Sequence, residues 1–149
     1  TLYEEGEGGI AGMAIDDDGN IYVVGSGEWA YDASTTLKYD PSGNLLWATR
    51  AKYETCKAYA MTMDDQGNVY VAGENCSIIK YDPQGNQVWS VYYNATPQIG
   101  YLWDIALDGS GNIYVVGNWD LGARITLGSG DPFHRDQYTY YTAKYAQGE

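Results

Sequence analysis

Residues 13–25 read MAIDDDGNIYVVG, and the line returns twice, as MTMDDQGNVYVAG at 61–73 and IALDGSGNIYVVG at 105–117. In each copy an apolar run meets Asp-x-x-Gly-Asn and a second apolar run follows. A type I turn followed by a left-handed glycine is a common three-residue hairpin loop, and Gly19, Gly67 and Gly111 fit the left-handed place. Measured at the asparagine, the copies are spaced by 48 residues (Asn20 to Asn68) and 44 residues (Asn68 to Asn112). A second hairpin follows in the first two copies, LKYDPSGNLLWATR from Leu37 and IKYDPQGNQVWSVY from Ile79. There a Lys-Tyr pair leads into a turn whose proline pre-sets φ, then into a strand carrying Trp47 or Trp89. A third Lys-Tyr pair stands in YTAKYAQGE, 141–149.

Each repeat therefore reads as two hairpins, four short antiparallel strands in all. A period of ~40–50 residues with four strands per repeat is the signature of a β-propeller blade. Ile21-Tyr22-Val23-Val24 is apolar on both alternating faces, which suits a sheet covered on both sides. The expected fold is all-β: one β-propeller-repeat domain over 1–149, with blades at about 10–50, 57–93 and 101–149 in an open arc.

The pattern DxxGNxYVxG followed by KYDPxGNxxW resembles the seven-bladed β-propeller repeat (SBBP) family of bacterial and archaeal surface and secreted proteins, and the resemblance covers nearly the whole chain. NHL repeats share its first half, and quinoprotein repeats a D-x-x-G-x-x-x-W flavour. The resemblance implies the fold and an extracellular or cell-surface location; it implies no activity, because propellers host many. The third copy departs from the others. Between Gly117 and Lys144 lie 26 residues, against 12 between Gly25 and Lys38 and 6 between Gly73 and Lys80.

The third repeat also lacks its outer strand. Written head to tail, KYAQGE and TLYEEG mimic KYDPSGN and LLWATR, with one residue fewer in the turn. The segment 1–5 is thus expected to complete the third blade. Three blades are too few to close a ring, so the strand is expected to enter a neighbouring copy. Thr1, Leu2 and Tyr3 are the expected donors, and Tyr141, Ala143 and Tyr145 lie on the accepting strand. Head-to-tail contacts of this kind end in a ring or a filament. The alternative is a three-blade fragment of a larger secreted propeller.

Composition excludes several functions. Eight basic against 20 acidic residues give a net charge of −12, which offers no footprint for nucleic acid and argues against anionic membrane surfaces. No run approaches the ~18 apolar residues of a membrane span, so no membrane insertion is expected. Sixteen tyrosines and 19 glycines suit turn-rich β structure.

Cys56 and Cys76 stand equally far from Gln66 at the tip of the second repeat's first hairpin. They are expected to face each other, as a disulfide in an oxidising compartment or as two buried thiols. Asn75 and Asn94 head sequons (Asn75-Cys76-Ser77 and Asn94-Ala95-Thr96), marking possible surface glycosylation; Asn94 is the better placed. Asp16-Asp17-Asp18-Gly19-Asn20 invites a calcium reading, but its recurrence is explained by the turn alone, and no metal is expected. The lone histidine, His134, lies in the third repeat's insert, and no triad or metal-ligand cluster is apparent. Asp104 falls on an inner strand, with Gly12 and Ala60 as its repeat partners. Trp29, Trp119 and the run Tyr138 to Tyr141 lie off the recurrent core positions and suit a binding surface or a contact between subunits.

The function expected is that of an extracellular self-assembling structural protein, a filament or surface-adhesive scaffold whose partner is itself. The rival is a lectin-like six-bladed dimer that binds glycans. Neither a cofactor nor enzyme activity is expected.

Overall fold

The computed structural model describes residues 9–26, 33–51, 57–75, 77–91, 100–119 and 139–145. Among these residues the secondary structure is entirely β. Eleven strands form three antiparallel sheets. The first sheet comprises β1 (Gly9–Ile15), β2 (Ile21–Ser26), β3 (Thr35–Tyr39) and β4 (Leu45–Arg50), in that order. The second repeats this meander with β5 (Ala58–Met63), β6 (Val69–Gly73), β7 (Ile78–Tyr81) and β8 (Gln87–Val91). The third has β9 (Gly100–Leu107), β10 (Ile113–Trp119) and β11 (Thr139–Tyr145), with β10 in the middle.

The hairpins follow from the turn chemistry. In the first, Gly19 N–H donates to the Asp16 carbonyl at 2.9 Å, and Asp16 N–H donates to the Asn20 carbonyl at 3.1 Å. The glycines at 19, 67 and 111 have φ of +79°, +78° and +78°, the left-handed conformation that a side chain disfavours. The Pro-bearing turns close the same way, with Gly43 and Gly85 both at +84°. Registers match across the repeats. Tyr22 pairs with Lys38, Tyr70 with Lys80, and Tyr114 with Lys144. The Lys-Tyr pairs thus mark one position on the third strand of every sheet.

The sheets stack face on face, with the second in the middle. On β6 every residue is buried. Val69 and Val71 join Ile79 and Tyr81 in a cluster with Tyr22 and Val24 of the first sheet. The alternate residues, Tyr70 and Ala72, join Ile78 in a second cluster with Leu102, Ile105, Ile113 and Val115 of the third. A strand of period two presents successive side chains to opposite faces, so β6 is apolar throughout because both its faces are covered. The first strands β1, β5 and β9 approach one another in sequence.

The first sheet tests the rule, because among the described residues only one of its faces is packed against another sheet. Tyr22 and Val24 are fully buried against the second sheet, while Ile21 and Val23 on the opposite face stay half-buried. Leu37 and Ile79 occupy the same repeat position, yet Leu37 is half-buried and Ile79 only 1 % exposed.

This difference sets an expectation for stability. Ile79→Ala leaves a cavity between two sheets and is expected to cost about 2–5 kcal/mol. Leu37→Ala should cost clearly less in dilute solution, because water fills the space the side chain leaves. Urea unfolding of both variants at low protein concentration measures the two; equal losses would contradict the one-sided packing of the first sheet.

Candidate assembly surfaces

The two interfaces between sheets are built alike. In each, the second strand of one sheet presents a tyrosine and a small or branched residue, Tyr22 and Val24 or Tyr70 and Ala72. The next sheet answers with the opposite face of its own second strand, Val69 and Val71 or Ile113 and Val115. A tryptophan from the fourth strand flanks the tyrosine: Tyr22 and Trp47 meet edge to face at 6.0 Å, Tyr70 and Trp89 at 6.1 Å. At the first interface Trp47 Nε1 donates to the Pro83 carbonyl at 3.0 Å, and Thr49 Oγ1 donates to the Gly85 carbonyl at 2.7 Å. These bonds dock the outer strand of one sheet on the turn of the next.

Gly85 shows how close that docking is. A Cβ there would lie 2.8 Å from Trp47 Cδ2 and 3.0 Å from Thr49 Oγ1. Gly43 is its counterpart on the first sheet, with the same φ, and a Cβ there would meet nothing within 4 Å. The first sheet therefore carries the accepting half of the interface with no tryptophan seated on it among the described residues.

The rest of that face agrees. Met13 and Ile15 are 65 % and 57 % exposed, whereas Met61 and Met63, at the same repeat positions, pack against the core between the first two sheets. Met13 pairs with Val23 and Val23 with Leu37, while Ile15 pairs with Ile21 and Ile21 with Tyr39. Six apolar or aromatic residues thus line the free face. The far face of the third sheet carries the complementary half: Tyr114 and Val116 stand where Tyr22 and Val24 stand on the first sheet, and Val116 is 36 % exposed. Tyr114 already holds the position its counterparts hold, donating from its hydroxyl to Asp108 Oδ2 at 3.0 Å, as Tyr70 does to Asp64 Oδ2 at 3.0 Å and Tyr22 to Asp16 Oδ2 at 3.2 Å.

That tyrosine belongs to a recurrent polar unit. Asp16 Oδ1 accepts from Asp18 N–H at 3.1 Å and Asn20 N–H at 2.8 Å, and Oδ2 accepts from Asn20 Nδ2 at 2.9 Å. Lys38 reaches Asp16 Oδ2 at 3.6 Å and lies 4.7 Å from the centre of the Tyr22 ring; Lys80, Asp64 and Tyr70 repeat the arrangement at 3.9 and 4.9 Å. The oxygens of Asp16 and Asp64 are thereby engaged by their own hairpin and by the lysine of the third strand. At Asp16 and Asp64 burial raises the carboxyl pKa, but the asparagine and tyrosine hydrogen bonds outweigh it and the net shift is downward. At Asp108 the side-chain amide of Asn112 leads, followed by its backbone N–H, and the pKa falls from 3.8 to about 2.

The residues singled out in the sequence are distributed unevenly. Tyr141, Ala143 and Tyr145 lie on β11, opposite Gly117, Val115 and Ile113 of β10. Among the described residues no strand pairs with the other edge of β11, although β4 and β8 occupy that place in the other sheets. Thr1, Leu2, Tyr3, Cys56, Cys76, Asn94, Trp29 and His134 lie outside the described residues. Asn75 sits in a turn at φ +58°, closed by Ser77 N–H donating to the Glu74 carbonyl at 3.2 Å, and Ser77 of its sequon is 3 % exposed. Asp104 is exposed on β9, with Oδ1 accepting from Ile105 N–H at 2.8 Å. The exposed apolar faces of the two end sheets were expected from the repeat count, since an open arc of three repeats leaves both end faces and a strand edge uncovered; Met13 and Ile15 on the first sheet and Val116 on the third are exposed accordingly. Sequence reasoning missed the aromatic residues Tyr59, Tyr101 and Trp103. No protein-family model matches the chain, and a search of curated proteins finds no match.

The hairpin carboxylates set a pH dependence. A carboxyl group whose pKa is depressed on folding stabilises the fold above its unfolded value, and that contribution is lost as the pH falls through the folded value. For Asp108 the window runs from 3.8 down to about 2. The melting temperature is therefore expected to hold from pH 6 to about 4.5 and to fall below about 4, where unfolded carboxyl groups begin to bind protons. Asn112→Ala should raise the Asp108 midpoint toward the ordinary carboxylate range in a carboxyl-detected NMR titration; an unmoved midpoint would show that Asn112 does not hold it down.

Proposed function

We propose that the three sheets are propeller blades of the SBBP type and that the protein is an extracellular structural subunit, stacking head to tail on copies of itself. One observation carries the reading. The face left open on the first sheet and the face left open on the third are the two halves of the interface that the chain already makes twice within itself. Tyr114 and Val116 of one copy would meet Met13, Val23 and Leu37 of the next, as Tyr22 and Val24 meet Met61, Val71 and Ile79. The four-stranded meander and the approach of successive first strands support the blade reading.

The proposal includes an exchanged strand. The free edge of β11 has the position of an acceptor, and a sheet edge with unpaired N–H and C=O groups recruits a strand from another chain. Thr1, Leu2 and Tyr3 are the donors by their likeness to Leu45, Leu46 and Trp47. A tyrosine in place of tryptophan would reach toward the Pro41 carbonyl and the open ground over Gly43 on the neighbouring copy. Because the two faces differ, the contact is heterologous, and each added copy exposes a fresh open face.

Negative-stain microscopy with light scattering tests this, on wild type and on Met13→Glu and Val116→Glu. Wild type is expected to form rings or fibres. Each variant alone should lose growth, since one of its two faces is blocked by a charge. Mixed in equal amounts, the two should form discrete dimers, because each supplies the face the other lacks. Deleting residues 1–5 should also abolish long assemblies. A wild-type chain that stays monomeric at high concentration would defeat the proposal, and so would a mixture that behaves as its components do.

A further inference from the structure

The three sheets share an irregularity in their first strands. The pairing of β1 with β2 slips between Ile10 and Gly12, and that of β5 with β6 between Ala58 and Ala60. On β9 the slip falls between Leu102 and Asp104, opposite Gly117 and Val116. These are β-bulges at one repeat position, and the residues left over are Ala11, Tyr59 and Trp103. A bulge removes its extra residue from the ladder and re-aims the side chain.

In the first sheet the extra residue is small and packs against the core. In the other two it is aromatic, and the pair meets across the boundary between sheets. The ring centres of Tyr59 and Trp103 are 4.8 Å apart. Tyr101 completes a triangle, stacked on Trp103 at 5.4 Å with 21° between the planes and edge-on to Tyr59 at 5.8 Å. Trp103 nevertheless remains 49 % exposed. A backbone bridge between Glu74 and Tyr101 ties the second sheet to the third beside this cluster. The bridge sets Glu74 beside the cluster, and burial first and the Glu74 carboxylate next push the Tyr59 phenol up.

The geometry separates the ligand classes. An aromatic cage for an ammonium group needs rings turned inward on a vacant centre, whereas these rings touch one another and leave no hole. An anion is disfavoured by Glu74 and by the net charge of −12. A pyranose fits better. It has a flat face of C–H groups that lies on an indole, and a rim of hydroxyls that donate to a carboxylate and exchange hydrogen bonds with phenols. We infer that Tyr59, Tyr101 and Trp103, with Glu74, form a platform for neutral polysaccharides. This site is independent of whether the chains stack.

Native gel electrophoresis of the full chain through soluble β-glucan, xylan or galactomannan tests the inference. At least one polymer is expected to retard the wild type. Trp103→Ala should weaken that retardation by tenfold or more, and Trp103→Phe should restore part of it. Leu46→Ser, which changes another exposed apolar residue, should leave it unchanged. Should Trp103→Ala fail to fold, fluorine NMR of the 5-fluorotryptophan-labelled wild type decides. The Trp103 resonance, assigned with Trp103→Phe, should shift on adding the matching oligosaccharide. No retardation of wild type by any of the three polymers overturns the inference, as does undiminished retardation of Trp103→Ala or a fluorine resonance that stays in place.

Discussion

A strand with apolar side chains on both faces must be covered twice, and the rest of this structure depends on that constraint. Fully burying one Val, Ile or Leu side chain is favourable by about 1.5–3 kcal/mol. A second strand such as β6, with Val69 and Val71 on one side and Tyr70 and Ala72 on the other, gains that twice only when it lies between two sheets. The same residue types fill β2 and β10, which lie at the two ends of the stack and, among the described residues, are each covered by a sheet on one side. The middle sheet shows the arrangement complete, and the end sheets show its two halves.

The polar unit makes this stacking specific. An Asp at the turn holds an Asn, a Tyr hydroxyl and a Lys from the third strand, so the tyrosine ring stands in a fixed place when the next sheet arrives. Lys38 is only 9 % exposed, and a lysine so placed needs an acceptor and a polarisable surface nearby; Asp16 and the Tyr22 ring supply both. Hydrogen bonds, ion pair and ring contact thus orient the group that carries the apolar interface. Repetition follows from the unit being self-contained: the same unit docks on the same kind of face at both boundaries between sheets.

Much of this was legible from local patterns. The hairpins, their left-handed glycines and the equivalence of Lys38, Lys80 and Lys144 follow from short segments, because turn chemistry acts over four or five residues. Double-faced burial was read from Ile21 to Val24, apolar on both alternating faces; β6 shows it complete, whereas at β2 itself Ile21 and Val23 stay half-buried. The bulges were not legible. A bulge depends on the count of residues in two strands that pair across a loop, so Tyr59 and Trp103 look like ordinary members of apolar runs. Trp29 and Trp119 stand out in the sequence because they fall outside the repeat pattern, whereas aromatics within the pattern do not. The exposed faces of the first and third sheets were legible from the number of repeats, because three stacked units leave two ends without a neighbour, although Met13 and Met61 are identical in type and differ only in what lies above them.

The charge distribution adds a last constraint on how such a subunit can associate. The net charge of −12 opposes close approach of two copies, yet much of it sits where it does not obstruct stacking. Asp16, Asp17, Asp18, Asp40, Asp64, Asp65, Asp82 and Asp108 all belong to hairpin turns, at the ends of strands. The free face of the first sheet is lined instead by Met13, Ile15, Ile21, Val23, Leu37 and Tyr39. In the proposed assembly the apolar faces would meet end to end with the Asp40 turn at the contact, as the Asp82 turn lies beneath Trp47 and Thr49, while the other acidic turns would run along the flanks. Repulsion between flanks acts over about 8–10 Å at moderate salt, farther than the contact distance of the apolar faces. Sideways association is therefore opposed before it can form contacts, whereas end-to-end contact removes apolar surface from water. In the proposed assembly the subunit would thus be biased toward growth in one direction, and raising the salt would weaken that bias by screening the flanks and leaving the faces unchanged.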